Sequence, residues 1–307
     1  MEHIKTIDDV IPTKSSGRDA LPLGFAIFGY GFVIFLVIIC FFPFWLLVMG
    51  SITTNRSIMA YGFRFWPREI TLEAYRLIFA VPEVILRSYV VTIVLTAVGT
   101  TISVFITSMT AYVLHRKDFK WRNKFSFFFF FTTLFSGGLI PFFLLMTNLG
   151  MRNNYFALLL PPMMSVFNII VMRTFFASLP SEIGESGKMD GANDFSICMR
   201  LYMPMAIPGL ATIGLFTALA YWNDWMNALL FINDSRMFPL QFQLFRIISQ
   251  VEFARQVAMA TGQQLADVPS EALQLATACV TIGPIILLFP FVQRYFIRGL
   301  TIGAVKG

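Results

Sequence analysis

A tyrosine, two tryptophans, two asparagines and an aspartate stand together at Tyr221, Trp222, Asn223, Asp224, Trp225 and Asn227, inside an otherwise apolar run. Flat aromatic faces stack on sugar rings, while amides and carboxylates satisfy hydroxyls, so this group has the chemistry of a carbohydrate contact. Polar side chains within a membrane span turn toward the bundle interior or a water-filled path. The same residue types also serve as interfacial anchors, helix caps and interhelical packing. Tyr221, Trp222, Asn223, Asp224 and Asn227 are therefore candidate substrate-path residues, with both uses open. Asn168, in another apolar run, fits an interhelical hydrogen bond better than a ligand contact.

Other reactive patterns fail on inspection. Glu185-Ser186-Gly187-Lys188 glances toward a phosphate-binding loop, but the first glycine is missing, and Met189 stands where Ser or Thr must reach magnesium. Cys40, Cys198 and Cys279 are too far apart for a disulfide framework or metal-ligand spacing, and His3 and His115 form no cluster. No catalytic residue, metal ligand or cofactor is expected in this chain. The run Phe127 to Phe131 covers every side of a helix and reads as lipid-facing or packing surface.

The elements that position these residues are membrane helices. The 307 residues are 57% hydrophobic and 13% charged, a balance that no soluble domain of this size keeps in solution. The reading is one all-α membrane domain with six transmembrane helices. Residues 1–22 form a polar tail and 23–50 the first helix, too long for a secretory signal and kinked at Pro43. Residues 51–83 form an outer segment with interfacial aromatics. Five further runs follow, about Val84 to Leu114, Phe125 to Met146, Tyr155 to Phe176, Met205 to Ile232 and Leu273 to Phe296, so that 84–297 is the transmembrane domain and 298–307 a tail. The loop His115 to Lys124 packs five cations, Arg116, Lys117, Lys120, Arg122 and Lys124, whereas the next loop has only Arg152. Excess Lys and Arg marks cytoplasmic loops, which puts both termini in the cytoplasm of a multi-pass cell-membrane protein. Clustering of the cations between apolar runs argues against nucleic acid as a partner.

The connection 177–204 then falls in the cytoplasm and reads as a helical hairpin. Pro180 and Ser181 open a helix with Glu182 and Glu185 in its first turn, where carboxylates favour the positive end of the dipole. Asp190-Gly191 ends it as a turn, and Asn193 or Asp194 caps a second helix that stops before Pro204 and Pro208.

That hairpin resembles the loop of the permease subunits of binding-protein-dependent ABC importers, Glu-Ala-Ala, three residues, Gly, nine residues, Ile-x-Leu-Pro. Here the pattern is Glu185-Ser186-Gly187, Gly191 and Leu201-Tyr202-Met203-Pro204, at matching spacing, with Ser186 and Gly187 in place of the alanines, Leu201 of isoleucine and Met203 of leucine. Asp190-Gly191-Ala192 and the Tyr221 to Trp225 stretch resemble the sugar-transporting branch. Gln293 to Leu300 and the closing Lys306-Gly307 are similar to the tail of maltose-type second permease subunits, nearest the oligosaccharide and polysaccharide permeases of Gram-positive bacteria. The likeness runs from about Val84 to the end, and the first helix agrees in position.

The resemblance implies a type I importer permease fold with a cytoplasmic coupling helix between helices 4 and 5. Glu182, Glu185, Ser186, Gly187, Asp190, Gly191, Ala192 and Pro204 would form the ATPase-coupling site. It further implies a second, different permease subunit, two ATP-binding cassette subunits that hold ATP and Mg, and an extracellular solute-binding protein, with the lipid bilayer around the whole. Importers of amino acids, phosphate or peptides share the loop, but the Tyr221 to Trp225 stretch and the tail favour sugar. A secondary transporter has no use for the capped hairpin, and no span pairs acidic with basic groups for ion coupling.

Overall fold

The computed structural model describes residues 23–261, 270–284 and 286 of the 307. The amino-terminal tail, residues 298–307 and the Gln293 to Gly307 stretch lie outside the described residues. Among those described, the secondary structure is helical apart from one isolated bridge between Thr53 and Ile70.

Helix α1, Leu23–Ser51, contains Pro43 and stands off the rest of the chain, with Phe28 73% and Ile38 60% exposed. So much exposed apolar surface is stable only against lipid or protein. Its end is tied down: Ser51 Oγ lies 2.9 Å from Tyr75 OH, and Trp45 donates to the Phe65 carbonyl at 2.9 Å. The outer segment then forms α2, Asn55–Tyr61, capped by Thr54, and α3, Glu73–Ile78.

Helix α4, Pro82–His115, runs unbroken for 34 residues and is the central post of the bundle. Its inner face carries Ser88, Thr92, Gly99, Ser103, Thr107, Ser108 and Ala111, all buried. Small and hydroxyl-bearing residues let neighbouring backbones approach closely and offer hydrogen bonds in a setting where water is absent. Thr92 Oγ1 accepts from the Leu240 amide at 2.8 Å, and Ser103 donates to the Met163 carbonyl at 2.6 Å.

Three runs read from hydropathy as continuous spans are broken. Phe125 to Met146 divides into α5, Arg122–Leu134, and α6, Leu139–Asn148, bent by 114°. The break falls at Phe135 to Gly138, where Phe135 is extended and Gly138 takes φ +84. Tyr155 to Phe176 divides into α7, Phe156–Leu159, a 3-10 turn Pro161–Met163, and α8, Val166–Ala177, bent by 47°. Two successive prolines and the Ser165 cap, which accepts from Asn168 N, end the first piece and start the second. After α8 come α9, Glu182–Met189, α10, Asp194–Ile197, and α11, Met203–Met205. Met205 to Ile232 resolves into α12, Ile207–Trp222, and α13, Met226–Phe231. Two more helices follow, α14, Leu240–Thr261, and α15, 270–284. The rest of the run ending at Phe296 lies largely outside the described residues.

Helices α4, α8 and α12 share one core. Tyr112, Phe176 and Tyr202 meet edge to face at 5.2 to 6.2 Å between ring centroids, with Met172 and Ile213 beside them. Asn168 donates from Nδ2 to Thr217 Oγ1 at 3.0 Å, an interhelical bond between α8 and α12.

Candidate functional site

Two groups of residues carry the functional reading. The first is the hairpin of α9 and α10. Glu182 and Glu185 lie in the first turn of α9 and Lys188 in the last, charges that oppose the helix dipole at each end. Ser181 precedes the helix without a side-chain cap bond. The far end closes with a Schellman pair: the Ala192 amide donates to the Gly187 carbonyl and the Gly191 amide to the Lys188 carbonyl, each at 3.0 Å. Gly191 has φ +75, the left-handed conformation that glycine enters without a Cβ penalty. Asn193 then caps α10, its Oδ1 accepting from the Ser196 amide at 2.8 Å.

The second arm does not stop before Pro204, a correction to the sequence reading. A wide π turn, Cys198–Tyr202, follows α10 and leads into α11, with Pro204 in its first turn. A π turn shifts the hydrogen bonds by one residue, which relieves the carbonyl that a proline ring would strike. The chain turns only at Ala206, where the arm meets α12 at 87°.

The arms pack tightly. Gly187 is buried, and a Cβ there would stand 3.0 Å from both Ile197 and Leu201; one at Gly184 would meet Tyr202 OH at 3.0 Å. Ala192 packs on the core, and Ile197 and Cys198 lie within it. The tip faces outward. Glu182, Glu185, Ser186, Asp190, Gly191 and Pro204 are exposed, and Met189 is 89% exposed. A Cβ on Gly191 would touch nothing within 4 Å, so that glycine serves the turn and leaves its surroundings open. The arrangement is a packed two-armed hairpin with an acidic, apolar-tipped end.

The second group surrounds the end of α12, and here the structure divides the candidates. Tyr221 is 4% exposed, its hydroxyl donates to the Leu159 carbonyl at 2.7 Å, and its ring fills the space above Gly99. Trp222 is buried and donates from Nε1 to the Thr281 carbonyl at 3.2 Å. Both pack within this chain, which is the second of the two uses left open for them in the sequence. Asp224 accepts from the Asn227 backbone at 3.1 Å and from its Nδ2 at 2.8 Å, so this pair starts α13.

Asn223 is exposed, and its Oδ1 accepts from Gln241 Nε2 at 3.0 Å. With Trp225, Gln241, Phe245, Gln274 and Thr277 it lines a cleft of about 390 Å³ between α12, α14 and α15. Trp225 stacks on Phe245 with centroids 4.8 Å apart. Amides, a hydroxyl and a flat aromatic wall match the demands of a sugar ring. Gln241 and Phe245, which fall between the last two apolar runs, and Gln274 and Thr277, which fall inside the last one, were not singled out in the sequence. At 1.5 Å rise per residue, α12 places this cleft roughly 24 Å from the hairpin elbow.

No family model matches the chain. The polygalacturonan/rhamnogalacturonan transport system permease protein YtcP of Bacillus subtilis (strain 168) is 37% identical over 278 residues, covering 91% of this chain and 96% of the relative. The LplC protein of the same organism is 36% identical over 267 residues, 86% of this chain and 89% of the relative. Among solved structures, a chain of a bacterial ABC transporter involved in import of the acidic polysaccharide alginate matches with a TM-score of 0.72 and 31% identity, over 89% of this chain and 96% of that one.

Proposed function

This chain belongs to the permease subunits of carbohydrate ABC importers, and from that membership we propose that it moves an oligosaccharide across the cell membrane in a complex powered by separate ATPase subunits. It is a transport component, and ATP and Mg belong to the partners. Up to five spans follow if each broken pair counts as one, namely α1, α4, α5 with α6, α7 with α8, and α12 with the segment before it, and α15 with the rest of the run to Phe296 is the sixth. The hairpin and the cation-rich loop 115–124 then face the cytoplasm together with both termini.

The observation that carries this reading is the hairpin itself. Its two arms are fixed to the core on one side and present Glu185, Ser186, Met189 and Asp190 to solvent on the other. An exposed methionine beside carboxylates suits insertion into a groove of an ATPase subunit, where Glu182 and Glu185 meet donors and Gly191 keeps the tip narrow. A packed lever transmits displacement because close-packed interiors compress little. Substrate delivered by an extracellular binding protein passes the cleft at Asn223 and Trp225, with Gln241, Gln274 and Thr277 contributing hydrogen bonds. Tyr221, Trp222, Asp224 and Asn227 hold that wall in place. The uronic-acid polymers named for the relatives make galacturonate and alginate oligosaccharides the first substrates to try.

Among the described residues the chain carries one such hairpin, and the complex is expected to hold two unlike permeases over two ATPase subunits. Affinity purification through a tag on this chain should recover one copy of it, one different permease and two ATPase copies. Recovery of two copies of this chain with no second permease would contradict the proposal.

A further inference from the structure

The acid in the cation-rich loop has a role that the hairpin alone does not explain. Asp118 accepts from Arg116 Nε at 2.8 Å and from Arg116 Nη2, and its Oδ2 also accepts from Lys188 Nζ at 2.9 Å. Arg116 reaches on through Nη1 to Asp194. Lys188 belongs to α9 and Asp194 to α10, while Arg116 caps the end of α4. The four charges therefore form a chain that leaves one arm of the hairpin, passes through the end of α4, and returns to the other arm. Arg116 and Lys188 hold the Asp118 carboxyl well below the usual carboxylate range, so it stays ionised throughout the physiological range.

These pairs span a gap. A cleft of about 410 Å³, lined by Tyr112, Asp118, Gly184, Lys188 and Tyr202 among others, separates the hairpin from the loop. Isolated exposed ion pairs add little to stability, but a bidentate Arg fork between two carboxylates also fixes direction. From this geometry we infer that Asp118 is a positioning residue, through which the end of α4 grips the first arm of the hairpin at Lys188 while Arg116 holds the second at Asp194. Movement imposed on the tip then reaches α4 and α5, and not only α8 and α12, which the hairpin joins covalently. The inference rests on the reading of the hairpin as the element that couples to the ATPase.

The test uses the whole importer in proteoliposomes, with its binding protein charged by oligogalacturonide, alginate oligosaccharide or maltodextrin, whichever stimulates the wild-type ATPase most. Asp118→Asn should assemble in normal yield and keep basal ATPase activity, while the stimulated-to-basal ratio falls about 5-fold, the lower end of ordinary coupling strengths. Asp118→Glu should restore the ratio, and adding Lys188→Gln to Asp118→Asn should lower it no further. Should Asp118→Asn reduce the yield, Lys188→Gln against Lys188→Arg carries the same test with the Arg116 pairs intact. A wild-type ratio in Asp118→Asn, or independent losses in the double variant, would overturn the positioning role. Absence of stimulation in the wild-type complex would instead overturn the reading of the hairpin, and this inference with it.

Discussion

A complex carrying Gly191→Trp should lose ATP-driven uptake at least tenfold while the chain still folds and inserts. The backbone at Gly191 lies at φ +75, so a bulky side chain such as tryptophan carries a strain of about 1 kcal/mol or more. That strain falls on an exposed turn and not on the core, since a Cβ at this position meets no atom within 4 Å. Damage from the indole therefore comes from outside the chain. It would stand beside Met189 and Asp190 on the surface proposed to enter the ATPase groove, and a docking loss of about 1.4 kcal/mol already corresponds to the tenfold change. Gly191→Asn is the control, because asparagine tolerates the left-handed region and adds little bulk. It should retain most of the activity. If both variants transport normally, the tip does not dock.

The second large effect is expected inside the bundle. A Cβ on Gly99 would lie 2.4 Å from the Tyr221 ring, closer than real Cβ contacts allow. The ring cannot retreat freely, because its hydroxyl is bonded to the Leu159 carbonyl and Trp222 beside it is bonded to the Thr281 carbonyl. Gly99→Leu should therefore cost more than the 1 to 3 kcal/mol typical of overpacking, and the yield of detergent-stable complex should fall severely. Combining it with Tyr221→Ala opens the space and should recover part of the yield. Thermal unfolding followed by fluorescence-detected size exclusion measures both. Failure of the second substitution to rescue the first would mean that Gly99 and Tyr221 do not meet.

Much of this was legible in the chain, and what was not has a physical cause. The helical membrane character follows from composition, and the permease family from the resemblance that Glu185 to Pro204 carries. Local chemistry placed the turn at Asp190-Gly191, because positive φ and a polar cap leave marks in single residues. Bends leave weaker marks. Hydropathy sums over a window and passes through Phe135 to Gly138 and through Asn223 to Trp225 without registering a change in direction.

The direction in which Tyr221 points could have been read. Gly209, Ile213, Thr217 and Tyr221 are spaced by four and all buried, a helical stripe that places the tyrosine on the packing face of α12. Residue type left sugar contact and packing both open for Tyr221 and Trp222, whereas this spacing puts Tyr221 on the packing face. The cleft was hidden for a different reason: Asn223 and Gln241 meet across 18 residues, and Gln274 joins from still farther. Asp118 left a clear trace, a single carboxylate among five cations, but its partner Lys188 lies 70 residues away and is brought to it only by the fold.

The central claim, that this chain is the permease of an ATP-driven carbohydrate importer, is tested most directly by uptake into proteoliposomes holding the purified complex. Labelled galacturonate or alginate oligosaccharide is supplied outside with the binding protein, and MgATP is enclosed inside. Accumulation should require both, and should stop when the enclosed nucleotide is ADP. Accumulation driven by a proton or sodium gradient with no ATP enclosed, or equal uptake with the binding protein left out, would contradict it.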